Sequence, residues 1–266
     1  LHPLPMLRLF RSPDQKRFHA RRRADADSLD LLGDVFGPDQ CPEDVAAPHG
    51  GFLQAQTGYV DLPLLLATLR RWLQTTGALY TDAIEYTAIR PDAEGVTVDG
   101  RRARRLVFCD GAAVHHNPWF DWLPLNPDKG EILDLRTADW RPRHIVNGAY
   151  WLIPQLDGGL RLGATHDHAS FDLQATAMGR DELLAAYQSL RPGAPLPEIV
   201  GHQAGIRPGT ADRCPLLGRH PEQPALWVCN GFGARGALSI PWYAARLAAH
   251  LQRGLPLPIE ADIRRL

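Results

Sequence analysis

The apolar run Leu226-Trp227-Val228-Cys229-Asn230 leads into Gly231-Phe232-Gly233-Ala234-Arg235-Gly236, and an amphipathic stretch begins at Ala237. Strand, Gly-x-Gly-x-x-Gly and helix in that order aim backbone N–H groups and a positive helix end at an electron-rich group. A dinucleotide fingerprint also needs a second strand and an acid for the ribose about 20 residues further on. Residues 255–266 are Pro-rich and too short for that, so an autonomous Rossmann unit is rejected here. A glycine-rich turn or a cofactor-facing loop remains. In the second case a side chain at Gly236 would block a close approach or meet an unusual backbone angle.

Arg207 ends an apolar strand and enters Pro208-Gly209-Thr210, where a guanidinium can clamp a carboxylate bidentately. The plainer alternative is a structural pair with Asp212. His166-Asp167-His168 puts two imidazoles on one face of a strand, but no third ligand stands at a recognised spacing, so no metal site is expected. No Gly-x-Ser-x-Gly elbow and no cysteine-protease signature occurs, which disfavours a hydrolase. Trp119, Phe120 and Trp122 read as core or a subdomain seam rather than a base-stacking platform.

The elements that must position these groups read as α/β, a mixed α+β pattern. Asp61 caps a helix carrying Leu62, Leu65, Leu66, Leu69, Trp72 and Leu73, with Gly77 as its stop. Strands are expected at 83–89, 96–98 and 106–109, then an antiparallel group at 131–135, 150–153 and 160–164 turning at Asp157-Gly158-Gly159. Helix 181–190, strand 199–206 and helix 237–252 follow, while residues 1–57 read as short elements joined by long loops.

The chain has 266 residues, enough for a substantial core in two lobes. Lys plus Arg number 29 and Asp plus Glu 30, a formal net charge of -1, which speaks against nucleic acid or an anionic membrane as partner. Cys41, Cys109, Cys214 and Cys229 form no Cys-x-x-Cys pair and read as reduced, buried thiols of a cytoplasmic protein. No apolar run reaches the roughly 18 residues of a membrane span.

In order, these pieces resemble the FAD-dependent amine and amino-acid oxidoreductase superfamily that contains glycine oxidase, D-amino-acid oxidase and sarcosine oxidase. The resemblance runs through Gly58-Tyr59-Val60-Asp61, Leu106-Val107-Phe108-Cys109-Asp110-Gly111, Lys129-Gly130-Glu131, Tyr150-Trp151-Leu152-Ile153-Pro154 and Gly163-Ala164-Thr165. It is most specific at Gly205-Ile206-Arg207-Pro208, Pro215-Leu216-Leu217-Gly218 and 231–236. It implies a two-lobed fold with a discontinuous FAD-binding domain, 58–114 and 202–266, and an antiparallel or mixed-sheet substrate domain, 1–57 and 115–201. The implied reaction is oxidation of the C–N bond of a small amine or amino acid by hydride transfer to flavin. Arg207 then matches the carboxylate-binding arginine, and Trp151 and His166 fall at pocket-lining positions. Gly111, Gly231, Gly233, Ala234, Arg235, Gly236 and Ala237 face the flavin.

The chain departs from the family in lacking, from Leu1 onward, the strand, glycine loop and ribose acid that hold the ADP half of FAD, and its first residue is not Met. The expectation is a truncated form that binds FAD weakly or not at all. Gly205 stands where covalent-flavin sarcosine oxidases carry cysteine, so any flavin is expected to be noncovalent. Two other functions are carried forward: the oxidase domain acting on a modified tRNA wobble uridine, and a non-enzymatic binding module derived from the substrate lobe.

Overall fold

The computed structural model describes residues 1–24 and 30–266. β1 (His2–Pro3) and β2 (Met6–Leu9) precede α1 (Pro13–Arg23), and β3 (Leu32–Phe36), β4 (Gly51–Gln54) and β5 (Gly58–Tyr59) lead to α2 (Leu62–Thr75). Four short strands follow, β6 (Ile89–Asp92), β7 (Gly95–Val98), β8 (Arg101–Ala103) and β9 (Leu106–Phe108). β10 (Asp128–Arg136), β11 (Ile145–Asn147), β12 (Trp151–Pro154) and β13 (Leu160–Gly163) come before α3 (Ala177–Leu190). β14 (Glu198–Arg207), β15 (Leu216–Arg219), β16 (Leu226–Asn230) and α4 (Gly236–Arg253) complete the order. The chain divides into two compact units, Leu1–Thr68 with Gly130–His166 and Leu173–Gly205, and Leu69–Lys129 with Asp167–Asp172 and Ile206–Leu266.

The first unit is built on a sheet of order β14-β10-β13-β12-β11-β2-β4-β3, antiparallel at every registered pairing except the parallel β11–β2. Leu133 and Leu135 alternate along β10 and pack with Leu152, Leu160 and Leu162 from β12 and β13 against Leu183 and Tyr187 of α3. All seven are essentially buried, each leucine contributing about 1.5–3 kcal/mol. The β12–β13 turn is set by Gly158 at φ +80 and by the N–H of Gly159 donating to Asp157 Oδ1 at 2.9 Å.

In the second unit β15, β16 and β9 form one sheet, β16 running antiparallel to β15 and parallel to β9. β16 is buried on both faces. Leu226 and Val228 join Phe108 and Phe120 in one cluster, and Trp227 packs with Leu217 and Leu247 in another, which explains an unbroken apolar run in place of alternation. Phe120 is fully buried and Trp119 stacks on Phe108, whereas Trp122 is exposed.

One expectation needs correction, and two helices add what their sequences did not show. Residues 83–88 are not a strand: Ile84 is exposed, Tyr86–Ala88 make a 3-10 turn, and pairing starts at Ile89, where burial does. α1 escapes a search for apolar periodicity because its sequence is almost wholly polar; Ser12 accepts from Gln15 N, Pro13 opens it and His19 is its buried residue. α2 forms where its cap predicts, with Leu64 N donating to Asp61 Oδ1 at 2.9 Å, yet none of its residues is buried.

Candidate functional site

β9 and β16 end side by side in Asp-Gly and Asn-Gly, and those four residues are tied together. Asn230 Nδ2 donates to the Gly111 carbonyl at 2.9 Å and to Asp110 Oδ1 at 3.3 Å, and its own Oδ1 accepts from Gly231 N at 2.8 Å. Asp110 Oδ2 also accepts from Asn117 Nδ2 at 2.9 Å and from the Tyr86 hydroxyl at 3.3 Å. Burial of Tyr86, together with the Asp110 charge, pushes that phenol above its ordinary value. Past this knot the backbone turns left-handed at Gly111 (φ +59), Gly231 (φ +78) and Gly233 (φ +53), conformations that strain any side chain. A Cβ at Gly111 would meet nothing within 4 Å, so the turn has open space beside it.

Residues 233–235 form a 3-10 turn that runs straight into α4, and no side chain caps the start of that helix. Its first N–H groups therefore lack a side-chain acceptor. Ala234, Arg235 and Ala237 are exposed. Of the two reasons offered for Gly236, the unusual backbone angle is absent: at φ -53 and ψ -47 its backbone is ordinary helix.

Arg207 stands at the end of β14 in a turn fastened on two sides. Gly233 N donates to the Pro208 carbonyl at 3.0 Å, and Asn126 N donates to the Gly209 carbonyl at 2.7 Å. The plainer pairing of Arg207 with Asp212 does not occur, because Asp212 lies 2.9 Å from Arg265 and caps Cys214 N. Those bonds, the backbone N–H of Cys214 first, hold Asp212 below its ordinary value. Arg207 Nη1 instead donates to Asp128 Oδ2 at 2.7 Å, with side-chain exposures of only 19% and 12%. The neighbouring Lys129 is buried, with Nζ 2.7 Å from Asp172.

Structure thus joins Arg207, the 231–236 loop and Gly111 within the second unit. Trp151 and His166 belong to the first. Trp151 is half-buried at the start of β12, where Gly163 makes room for its indole: a Cβ there would lie 2.8 Å from Cζ2. His166 follows β13 and is exposed. Among the described residues no cluster of three or more His, Cys, Asp or Glu could hold a metal ion. Sequence reading missed Asp110, Asn230 and Asp128. A short polar residue directly before a turn glycine was the available signal for the first two; Asp128 had none.

The family described as FAD dependent oxidoreductase matches residues 1–251. Glycine oxidase of Geobacillus kaustophilus is 31% identical over 205 residues, 74% of this chain and 54% of that protein. Its crystal structure superposes with a TM-score of 0.81 at 25% identity, covering 95% of this chain and 71% of that one. Glycine oxidase of Pseudomonas aeruginosa is 32% identical over 133 residues, 50% of this chain and 36% of the relative. The bifunctional tRNA 5-methylaminomethyl-2-thiouridine biosynthesis protein of Aromatoleum aromaticum is 27% identical over 191 residues, 65% of this chain and 30% of the relative. The chain therefore spans about a third to a half of the length of these curated relatives.

Proposed function

This chain belongs to the family of FAD-dependent oxidoreductases, and from that premise we propose that it takes part in oxidising the C–N bond of a small amine or amino acid. The observation that carries the reading is the join between Arg207 and the 231–236 loop through Gly233 N and the Pro208 carbonyl at 3.0 Å. It ties the turn that follows Arg207, whose guanidinium is mostly buried, to a glycine turn that opens onto an uncapped helix start.

The residues present suit the ring end of a noncovalently held flavin. Gly111, where a Cβ would meet nothing within 4 Å, leaves room beside its turn for a flat group, and the start of α4 favours negative charge on it. When bound, FAD would accept the hydride from the carbon beside the amine nitrogen, and water would hydrolyse the imine so formed. Arg207 orients the substrate through its carboxylate, and Asp128 keeps the guanidinium from swinging away. Trp151 and His166 are the further residues proposed to touch substrate. Chemistry of this kind asks for orientation more than for a side-chain base. In this reading 58–114 and 202–266 serve the flavin, and 1–57 and 115–201 serve the substrate.

The similarity to the bifunctional tRNA-modifying protein supports a second substrate, the aminomethyl group of a modified uridine. One experiment separates the readings. The purified protein is given FAD, made anaerobic and titrated with glycine, sarcosine, larger amino acids or the modified nucleoside, while flavin absorbance is followed. Bleaching by a carboxylate-bearing amine supports the proposal. Bleaching by the nucleoside alone favours the second reading, and bound flavin that none of them reduces overturns both.

A further inference from the structure

Cys109 directly follows β9 and Cys229 lies on the neighbouring β16, and the amine chemistry above makes no use of them. The parallel register pairs Trp227 with Val107 and Val228 with Phe108, so the next step sets Cys229 beside Cys109. Side chains at matched positions of adjacent parallel strands leave the same face of the sheet. Cys229 and Val107, two residues from Cys109, pack on the same cluster, which confirms the face. Strand spacing of about 4.8 Å falls inside the roughly 4.4–6.8 Å between α-carbons that a disulfide spans. Both thiols are free; Cys109 is exposed and Cys229 half-buried.

We propose that Cys109 and Cys229 are a peroxide-responsive dithiol, Cys109 the attacking thiol and Cys229 the resolving one. Its electronic setting agrees. A hydrogen bond from Cys229 lowers the pKa of Cys109, and the same contact, with burial, raises that of Cys229. The exposed sulfur is therefore the better thiolate and the inner one keeps its proton. The Cys109 thiolate attacks one oxygen of hydrogen peroxide, the O–O bond breaks, and hydroxide leaves and is protonated to water. Cys229 then attacks the sulfenic sulfur; the S–S bond forms, the S–O bond breaks, and the hydroxyl leaves as water with the Cys229 proton. Two thiols are oxidised by two electrons and peroxide is reduced to two waters. Because Asp110-Gly111 and Asn230-Gly231 follow the two cysteines directly, the bridge forms at the base of both glycine turns. The proposal stands whether or not the amine reading does.

The purified protein is exposed to hydrogen peroxide and digested without reduction. Expected is a peptide pair joined through Cys109 and Cys229 that dithiothreitol separates, with Cys41 and Cys214 still thiols. Cys229→Ala should trap the sulfenic acid on Cys109 as a dimedone adduct, and Cys109 in that variant should alkylate with iodoacetamide only at higher pH than in the parent. Cys109→Ala should leave Cys229 unmodified. The inference is overturned if peroxide joins other cysteines instead, or if Cys109 reacts no faster than Cys214. It also fails if Cys229→Ala leaves the alkylation pH profile of Cys109 unchanged.

Discussion

In the first unit Glu131 lies 2.7 Å from Nε2 of His202, and in the second Asp128 lies 2.7 Å from Nη1 of Arg207. The distances are alike; the surroundings are not. Glu131 is 4% exposed and accepts from Thr176 N at 2.9 Å and Thr176 Oγ1 at 2.8 Å, just where Thr176 caps α3. A Cβ on Gly179 would sit 2.4 Å from Oε2, so the helix backbone closes directly over the carboxylate. Asp128 accepts from Asp167 N at 3.2 Å and holds an arginine in a turn that leads to left-handed glycines. An acid closed in by a capped helix is a fastening. The second pair instead sits in a turn bonded to the left-handed Gly233, the setting from which a substrate role for Arg207 is proposed.

The largest effect that would test this contrast is on stability. Glu131→Ala strands the Thr176 N–H and hydroxyl and leaves His202 without its acid, so a loss of about 3–5 kcal/mol is expected in urea unfolding. Burial alone would raise the pKa of Glu131, but the Thr176 bonds and His202 outweigh it and the net shift is downward. Its stabilisation is therefore complete above the unfolded value of about 4.5 and fades as pH falls through the lower folded one. Glu131→Gln should flatten that acid limb of the stability curve. A loss below about 1 kcal/mol for Glu131→Ala would remove the distinction between the two pairs.

Arg207→Ala should act on substrate instead. In the FAD-loaded enzyme a cost of about 2–5 kcal/mol in kcat/KM is expected for amines that carry a carboxylate, and much less for amines without one. Equal losses for both classes would show that Arg207 supports the turn and does not hold the substrate. Unfolding of the same variant should change by less than that of Glu131→Ala, since the Asp128 side chain keeps more contact with solvent.

Only the arginine's side of this contrast was legible in the sequence. The glycine order of 231–236, the strand ahead of it and Arg207 at a strand end are local patterns, and local patterns survive folding. The partner of Arg207 was not legible, because Asp128 is 79 residues away and Asp212 offered a nearer acid. Glu131 gave no warning either: its worth comes from Thr176 and His202, which the sheet and α3 bring to it. The strand expected over 83–89 failed up to residue 88 for the opposite reason: Ile84 is apolar with nothing to bury it, and Tyr86 reaches the core from a 3-10 turn instead of a strand.

Within the loop the comparison narrows to single glycines. Gly231→Ala places a Cβ at φ +78, 3.0 Å from Thr210 Cγ2 and 3.1 Å from Leu216 Cγ, both in packed surroundings. A loss of about 1–3 kcal/mol is expected. Thermal unfolding measures it, and a neutral result would mean that the left-handed turn is not required.

Gly236 should give the smallest change in stability and the sharpest separation of roles. Its backbone is helical, and a Cβ there would lie 3.3 Å from Ile240 Cδ1, the far end of a flexible side chain, and 3.4 Å from Phe232 Cβ. Alanine at a helix start also gains a fraction of the roughly 1 kcal/mol by which it outranks glycine inside helices. The two effects oppose each other, so Gly236→Ala should unfold within about 0.5 kcal/mol of the parent. If the loop faces a flat cofactor, Gly236→Val, carrying two more methyl groups into the same approach, should weaken FAD binding several-fold with the fold retained. Unfolding and flavin titration on both variants decide between these roles. A valine variant that loses stability and keeps its flavin affinity would assign Gly236 to packing of Phe232 and Ile240 alone.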